Sequence, residues 1–300
     1  MKGKEKTSLK HKPSVLSVAS LVVLIFYSLI FITAIAWAIM FSLTDYETEI
    51  LYVKGRNFLV IPDKLYFSNY SKVYDVFRTK VESGAGSRMV YLPEMFFNSV
   101  LYAVGVGITS ALAPCLVGYC TAKFNFKFNK VLDSIVLITI ILPIVGALPS
   151  QIKIVYGLNM NDSIPSLWIM AFGFANMYYF VFKAIFKSIP DSLREAAQID
   201  GASNFYIFVK IMLPLVMPTF ISVAVIQFVA AWNNYTTPLA FAPNKPTAAF
   251  GFFNLMQATQ TSEPTLKMTG AMLLMFPILL LYCALNKFMS GNLTVGSVKG

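Results

Sequence analysis

Charge is the scarcest component of this chain. Only 13% of its 300 residues are Asp, Glu, Lys or Arg, against roughly 25% in an ordinary soluble domain. With 57% hydrophobic residues and a mean hydropathy of +0.65, it cannot clothe a soluble core. Length alone would allow about two soluble domains, but the composition demands a polytopic membrane protein. Histidine is almost absent: His11 stands alone in a Lys-rich tail, so a His-based catalytic centre is excluded. The three cysteines, Cys115, Cys120 and Cys283, lie in apolar runs without metal-ligand spacing. They read as small packing residues, with neither a disulfide framework nor a metal site. No GxxxxGK[ST] phosphate loop is present.

The charge that remains is biased. Twenty-four Lys and Arg against 14 Asp and Glu leave +10, which in a soluble protein would suggest nucleic acid. In a membrane protein, basic residues instead hold loops on the cytoplasmic side, and no nucleic-acid partner is expected. A spanning helix needs about 20 mostly apolar residues. Six stretches lack Asp, Glu, Lys and Arg: Pro13–Thr44, Met95–Ala122, Ser134–Ile152, Ser163–Phe182, Ile211–Asn244 and Met268–Asn286. The third continues to about Leu158 if Lys153 snorkels at the boundary. The fifth is long for one helix; Pro214 and Pro218 predict a bend at its start and Pro238 an end at its far side. The first begins basic and contains Ala36-Trp37-Ala38, but it far exceeds the 7–15 residues, roughly, of a signal-peptide core. It reads as an uncleaved helix.

These runs predict an all-α membrane protein with six transmembrane helices. With the N-terminus inside, the inner segments 1–12, 121–133, 183–213 and 287–300 hold 14 basic residues and five acids. The outer segments hold ten bases and nine acids. The bias puts both termini in the cytoplasm. The expected organisation is a tail at 1–12, a six-helix domain at 13–289 and a tail at 290–300.

Two connections stand out. The outer segment 45–94 balances seven bases against seven acids. Within it, 65–77 reads either as a short helix resting on the membrane surface or as a solvated loop, and 83–87 as a flexible tip. The inner segment 188–214 reads SIPDSLREAAQIDGASNFYIFVKIMLP. Ser188 and Asp191 have capping-box spacing, Pro190 suits a first turn, and Leu193–Ile199 is rich in helix formers. Gly201 would stop this helix by entering the left-handed region, and Ser203 would cap a second. The predicted projection carries Arg194 and Glu195 on a polar side, with Leu193, Ala196 and Ala197 offering small apolar contact. It reads either as a knob for a partner to grip or as a well-formed loop.

Polar side chains inside spans are costly in lipid and should face a pathway or a helix interface. Asn98, Asn176, Tyr178, Tyr179, Gln227, Trp232, Asn233 and Asn234 form that set. Amides and aromatic faces suit a sugar; hydrogen bonds between helices are the alternative. Outside, the segment 241–267, with Phe250, Phe252 and Phe253, is either a shaped probe or a plain connection. No acid lies inside any of the six runs, which argues against an ion-coupled secondary transporter. The scattered outer acids and lone His11 argue against a membrane enzyme.

Glu195-Ala196-Ala197, three residues, Gly201, nine residues, Ile211, one residue and Leu213-Pro214 resemble the EAA motif of ABC-importer permeases. Ile199-Asp200-Gly201-Ala202, Phe97-Asn98-Ser99, Trp232-Asn233-Asn234 and the ending Leu293-Thr294-Val295-Gly296-Ser297-Val298-Lys299-Gly300 are similar to the MalG-like half of the carbohydrate-uptake branch. The second Asn of Trp232-Asn233-Asn234 departs from the acid often found there. The resemblance implies an ABC type I importer permease fold in the bacterial cytoplasmic membrane. It implies no enzymatic activity and no cofactor on this chain, with ATP and Mg on two ATP-binding subunits. A second, MalF-like permease would complete the path, an extracytoplasmic solute-binding protein would deliver a carbohydrate, and lipid would surround both. Leu193, Arg194, Glu195, Ala196, Ala197, Asp200, Gly201 and Ala202 would couple to the ATPase. A permease for a non-sugar solute is the nearer alternative.

Overall fold

The computed structural model describes residues 14–45, 62, 64–83, 86–142, 146–257 and 263–290. The tail at 1–12, most of the segment 46–63 and the C-terminal motif at 293–300 lie outside them. Four described helices are long and apolar enough to cross a membrane: α1 (Val15–Ser42), α3 (Leu92–Lys123), the run Asn204–Trp232, and Pro264–Leu285 within α13 (Pro264–Ser290). They correspond to the first, second, fifth and sixth apolar runs.

The third and fourth runs are not single helices. The third divides into α4 (Asn129–Ile141) and α5 (Ala147–Gly157). Leu142, which precedes Pro143, is extended at ψ 114, as the ring of a following proline requires. Gly146 opens α5 at φ +79. The fourth run divides into α6 (Ile164–Ala171) and α7 (Met177–Ser188). Its break falls at Phe172–Asn176, where Asn176 accepts the Tyr178 N–H at 3.0 Å and caps α7.

The all-α expectation also needs correction. Between α2 (Ser68–Val76), the short helix foreseen within 65–77, and α3 lies a two-stranded antiparallel ribbon, β1 (Arg78–Ser83) and β2 (Gly86–Tyr91). Of the flexible tip expected at 83–87, Ser83, Gly86 and Ser87 are instead strand residues, with Ser83 opposite Gly86, and 84–85 lie outside the described residues. The alternation of Thr79, Val81 and Val90 inward with Arg78, Lys80 and Tyr91 outward is the period of two that makes a half-buried hairpin.

The chain forms two compact units. The first takes the described residues of 1–70 and 263–272. In it, the end of α1 is closed by side chains. Asn69 Nδ2 donates to the Ser42 and Thr44 carbonyls at 3.1 and 2.7 Å, and Thr269 Oγ1 donates to the Ser42 carbonyl at 3.0 Å. Carbonyls that a helix end leaves unpaired are satisfied in this way. The body of α1, Val15 to Ile35, is exposed all round.

The second unit is organised around α3. Packed on it are α6, α7 and α10 (Leu213–Trp232). The helix formed by α9 (Asn204–Ile207) reaches α10 through one π-helical turn, Phe208–Met212. Pro214 lacks an N–H, and its ring would strike the carbonyl four residues earlier; the wider turn before it relieves that clash. The helix ends at Trp232, earlier than Pro238 implied; Pro238 lies inside the short α11 (Thr236–Phe241). Two apolar cores result. The inner one joins Tyr119, Phe182, Phe186, Phe208 and Met212; the other joins Tyr102, Leu167, Phe228, Trp232 and Phe241.

Small residues on α3 set these distances, as at other membrane helix interfaces. A Cβ on Gly107 would lie 2.7 Å from the Ala224 carbonyl oxygen of α10, and one on Gly118 3.0 Å from Phe182 Cβ of α7. Gly107→Ala should therefore force α10 off α3 and destabilise the protein by about 1–3 kcal/mol. A lowered midpoint of thermal unfolding in detergent checks this. Gly157→Ala, where an added Cβ meets nothing within 4 Å, is the control expected to leave the midpoint unchanged.

Candidate functional site

The inner projection takes the helix–turn–helix form expected from its sequence. Ser192–Ile199 is helix α8, Asp200 follows as its C-cap, and Gly201 sits at φ +81 with nothing near its missing Cβ. A left-handed glycine at this place is the usual way to end a helix sharply. Ser203 accepts the Tyr206 N–H at 3.2 Å and caps α9. The start of α8 is built differently from the expected capping box. Ser188 belongs to the end of α7 and donates to the Ile185 carbonyl at 2.8 Å. Pro190 lies in the elbow between α7 and α8. Asp191, the N-cap position, makes no side-chain cap and accepts from Lys123 Nζ instead.

Leu193, Glu195 and Ala196 are exposed, as are Ile199 (87%), Asp200 and Phe205 (76%). Ala197 turns inward onto the Tyr119–Phe186 core. Arg194 lies with its guanidinium 5.5 Å from the centre of the Phe124 ring, a cation–π distance. An open hollow of about 640 Å³ is lined by Ala197, Asp200, Gly201, Ala202, Ser203, Tyr206 and Ile211. The projection therefore offers an exposed strip of mixed acid and aliphatic surface beside a concavity, on a base anchored in the bundle.

That base contains ionic contacts absent from the sequence expectations. Lys123, whose side chain is 2% exposed, donates to the Ile189 carbonyl at 2.5 Å and to Asp191 Oδ1 at 2.8 Å. The ammonium group holds the Asp191 carboxyl below the usual carboxylate range. A second ion pair joins Lys183 of α7 to Asp133 of α4. The Tyr179 hydroxyl donates to Asp133 Oδ1 at 2.8 Å and lies 3.0 Å from Thr121 Oγ1 of α3. In the sequence these charges mark only the ends of apolar runs; no local pattern pairs Lys123 with Asp191 or Asp133 with Lys183.

The polar set inside the spans scatters. Tyr179 is fully buried in the Asp133 network, and Asn176 is a helix cap that also donates to the Gly173 carbonyl. Tyr178 packs at the edge of the inner core. Gln227 is half-buried on α10, with no hydrogen-bond partner among the described residues. Trp232 is buried between Phe96 and Phe228, and its indole N–H donates to the Leu274 carbonyl at 3.0 Å. Asn233 is exposed, and its amide returns to the Val229 carbonyl. Asn234 shapes the next turn through the Thr237 N–H.

Asn98 and Ser99 do not face open space. Asn98 Nδ2 donates to the Pro246 carbonyl at 3.1 Å, and Ser99 Oγ accepts the Ala248 N–H at 2.7 Å. Together they hold the start of α12 (Ala248–Gln257) against α3. This segment, expected to be a loop, is a helix with Phe250 buried, Phe252 half-buried, and Phe253 stacked on Tyr235 at 4.3 Å. Asn98→Ala and Ser99→Ala should each remove about 1 kcal/mol of buried hydrogen bonding. Faster deuterium uptake confined to 246–257 in either variant checks this.

The description "binding-protein-dependent transport system inner membrane component" belongs to a family model that matches residues 103–293. The arabinooligosaccharide transport permease AraQ of Bacillus subtilis is 27% identical over 296 residues, 97% of this chain and all of that protein. The trehalose transport permease SugB of Mycobacterium tuberculosis is 25% identical, across 71% of this chain and 81% of its own length. Among solved structures, a bacterial ABC transporter involved in import of the acidic polysaccharide alginate superposes with a TM-score of 0.70. It is 20% identical and covers 92% of this chain and 97% of that one; at that identity the likeness establishes the fold. Family membership accounts for a helical membrane body. The chain belongs to the binding-protein-dependent transport system inner-membrane components: it is a non-catalytic permease subunit of an ABC importer in the bacterial cytoplasmic membrane.

Proposed function

We propose that this subunit carries a sugar or oligosaccharide across the membrane, with α8 as the helix through which partner ATPases drive it. The observation that carries the coupling role is the geometry at Gly201: a left-handed turn that ends α8 sharply and leaves Glu195 exposed. Glu195 is the polar contact to the ATPase; Leu193, Arg194, Ala196 and Ala197 shape the helix; Asp200, Gly201 and Ala202 form its turn. The substrate class rests on the full-length likeness to an arabinooligosaccharide permease and on the trehalose relative.

In this reading the pairs α4–α5 and α6–α7 also cross the membrane. Six crossings result, with both termini cytoplasmic and the domain limits 13–289 kept. Non-helical backbone at membrane depth is tolerated where protein or a water-filled path covers it, and the helix ends at Leu142 and Gly146 and the break at 172–176 then mark the interior side. Of the polar set Asn98, Asn176, Tyr178, Tyr179, Gln227, Trp232, Asn233 and Asn234, the path takes the side chains not already spent on joining elements. Among them, Gln227 and Asn233 are the most available: neither is committed to a distant element. A second permease, two ATP-binding subunits holding ATP and Mg, and an extracytoplasmic binding protein complete the machine. Phe250, Phe252 and Phe253 support the surface that the binding protein meets. A relative from Pectobacterium atrosepticum, an sn-glycerol-3-phosphate permease 28% identical over 68% of this chain, makes a phosphorylated polyol the competing solute.

Copurification with the partner subunits, followed by a screen of solutes for binding-protein-dependent ATPase stimulation, tests the substrate. Stimulation by a sugar and not by glycerol-3-phosphate is expected; the reverse sinks the sugar assignment. Gly201→Asp places a Cβ and a charge at a left-handed position. It should leave the subunit in the membrane yet reduce uptake by about tenfold or more. Normal uptake with normal assembly would refute the coupling role.

A further inference from the structure

We infer that Lys123 is a positioning residue for transport: its ammonium group fastens the coupling helix α8 to the inner end of α3. The inference rests on the reading of α8 given above.

The last turn of α3 is a hub. Thr121 stands beside the Tyr179–Asp133–Lys183 cluster, which ties α3 to α7 and α4. Asn129 Nδ2 donates to the Phe124 carbonyl at 2.9 Å and brings in the start of α4. Lys123 reaches the other way. Its two partners flank Pro190: Ile189 is the C-cap of α7, and Asp191 is the N-cap position of α8. An ammonium group this deeply buried is stable only while paired. If the elbow drifted from α3, it would strand the charge. The negative end of the α3 dipole favours the cation at this turn as well.

Pro190 limits backbone rotation within the elbow, and Arg194 over Phe124 adds a second contact between α8 and the end of α3. A displacement applied to α8 is thus passed to α3 rather than absorbed in the connection. Because α6, α7 and α10 pack on α3, the displacement reaches the bundle. With its side chain 2% exposed and its ammonium group held by Ile189 and Asp191, Lys123 acts through the elbow.

The test uses the complete importer, with both permeases, ATPases and binding protein, in proteoliposomes, and reads solute imported per ATP hydrolysed. Lys123→Met keeps the apolar stem and removes the charge. It should assemble and hydrolyse ATP at a near-normal rate while import per ATP falls about tenfold. Lys123→Arg, which restores donors to both partners, should recover most of the ratio. An unchanged ratio in Lys123→Met overturns the inference. So does a parallel fall of import and hydrolysis in a complex that assembles normally, the signature of a purely structural lysine. Should Lys123→Met fail to assemble, Asp191→Asn serves instead, since it weakens the ion pair and leaves the Ile189 contact. A fall of about threefold in the ratio is then expected, in keeping with a half-exposed ion pair; no change overturns the inference. A wild-type complex without binding-protein-stimulated hydrolysis would refute the coupling-helix reading itself, whatever Lys123 does.

Discussion

The larger unit depends on how closely other helices can approach α3. Gly107 leaves no room for a Cβ against α10, and one on Gly118 would press on α7 at 3.0 Å. Between apolar helices in lipid there is little hydrophobic gain to be had from association, so van der Waals fit and hydrogen bonds decide it. Close approach at these two positions brings aromatic side chains into two cores, one around Tyr119 and Phe208 and one around Trp232 and Leu167. The projection at α8 is then carried on a packed base, because Ala197 of α8 enters the same core as Tyr119.

Polar groups in the bundle are chiefly devoted to joining elements. Asn69 and Thr269 close the end of α1; Asn98 and Ser99 hold α12; Asp133, Tyr179 and Lys183 tie α3, α4 and α7; Lys123 holds the elbow before α8. Each pairs a group that would otherwise be stranded away from water, where an unpaired charge or amide is far more costly than in solution. This leaves few side chains available to a passing solute. Gln227 and Asn233 are exceptions, and both lie in the C-terminal half of α10 or at its end.

Some elements were legible in the sequence for identifiable reasons. Gly201 and Ser203 were legible because a left-handed turn and an N-cap depend on a residue's own backbone and side chain. The four long helices were legible because hydrocarbon enforces continuous apolar length. The breaks near Leu142 and Asn176 were missed because a hydropathy run counts side chains and is blind to Pro143, Gly146 and Asn176 as punctuation. The hairpin at 78–91 was missed because its alternation is short and mixed with charge. The start of α8 was misassigned because Ser188 and Asp191 have capping spacing, yet Asp191 is drawn to a lysine 68 positions away.

By itself the sequence determined the membrane setting, the four long apolar helices, and the short helix α8 with its glycine turn. These follow from composition, run length and local backbone preference, which act over a few residues. Only the tertiary structure decided what each polar residue is for. Asn98 could have faced a path and instead holds α12; Tyr179 could have met a sugar and instead joins an ion pair; Lys123 could have been a loop charge and instead clamps the elbow. Which partner a buried polar group finds depends on helices meeting across dozens of residues, and that meeting is set by the glycine contacts along α3.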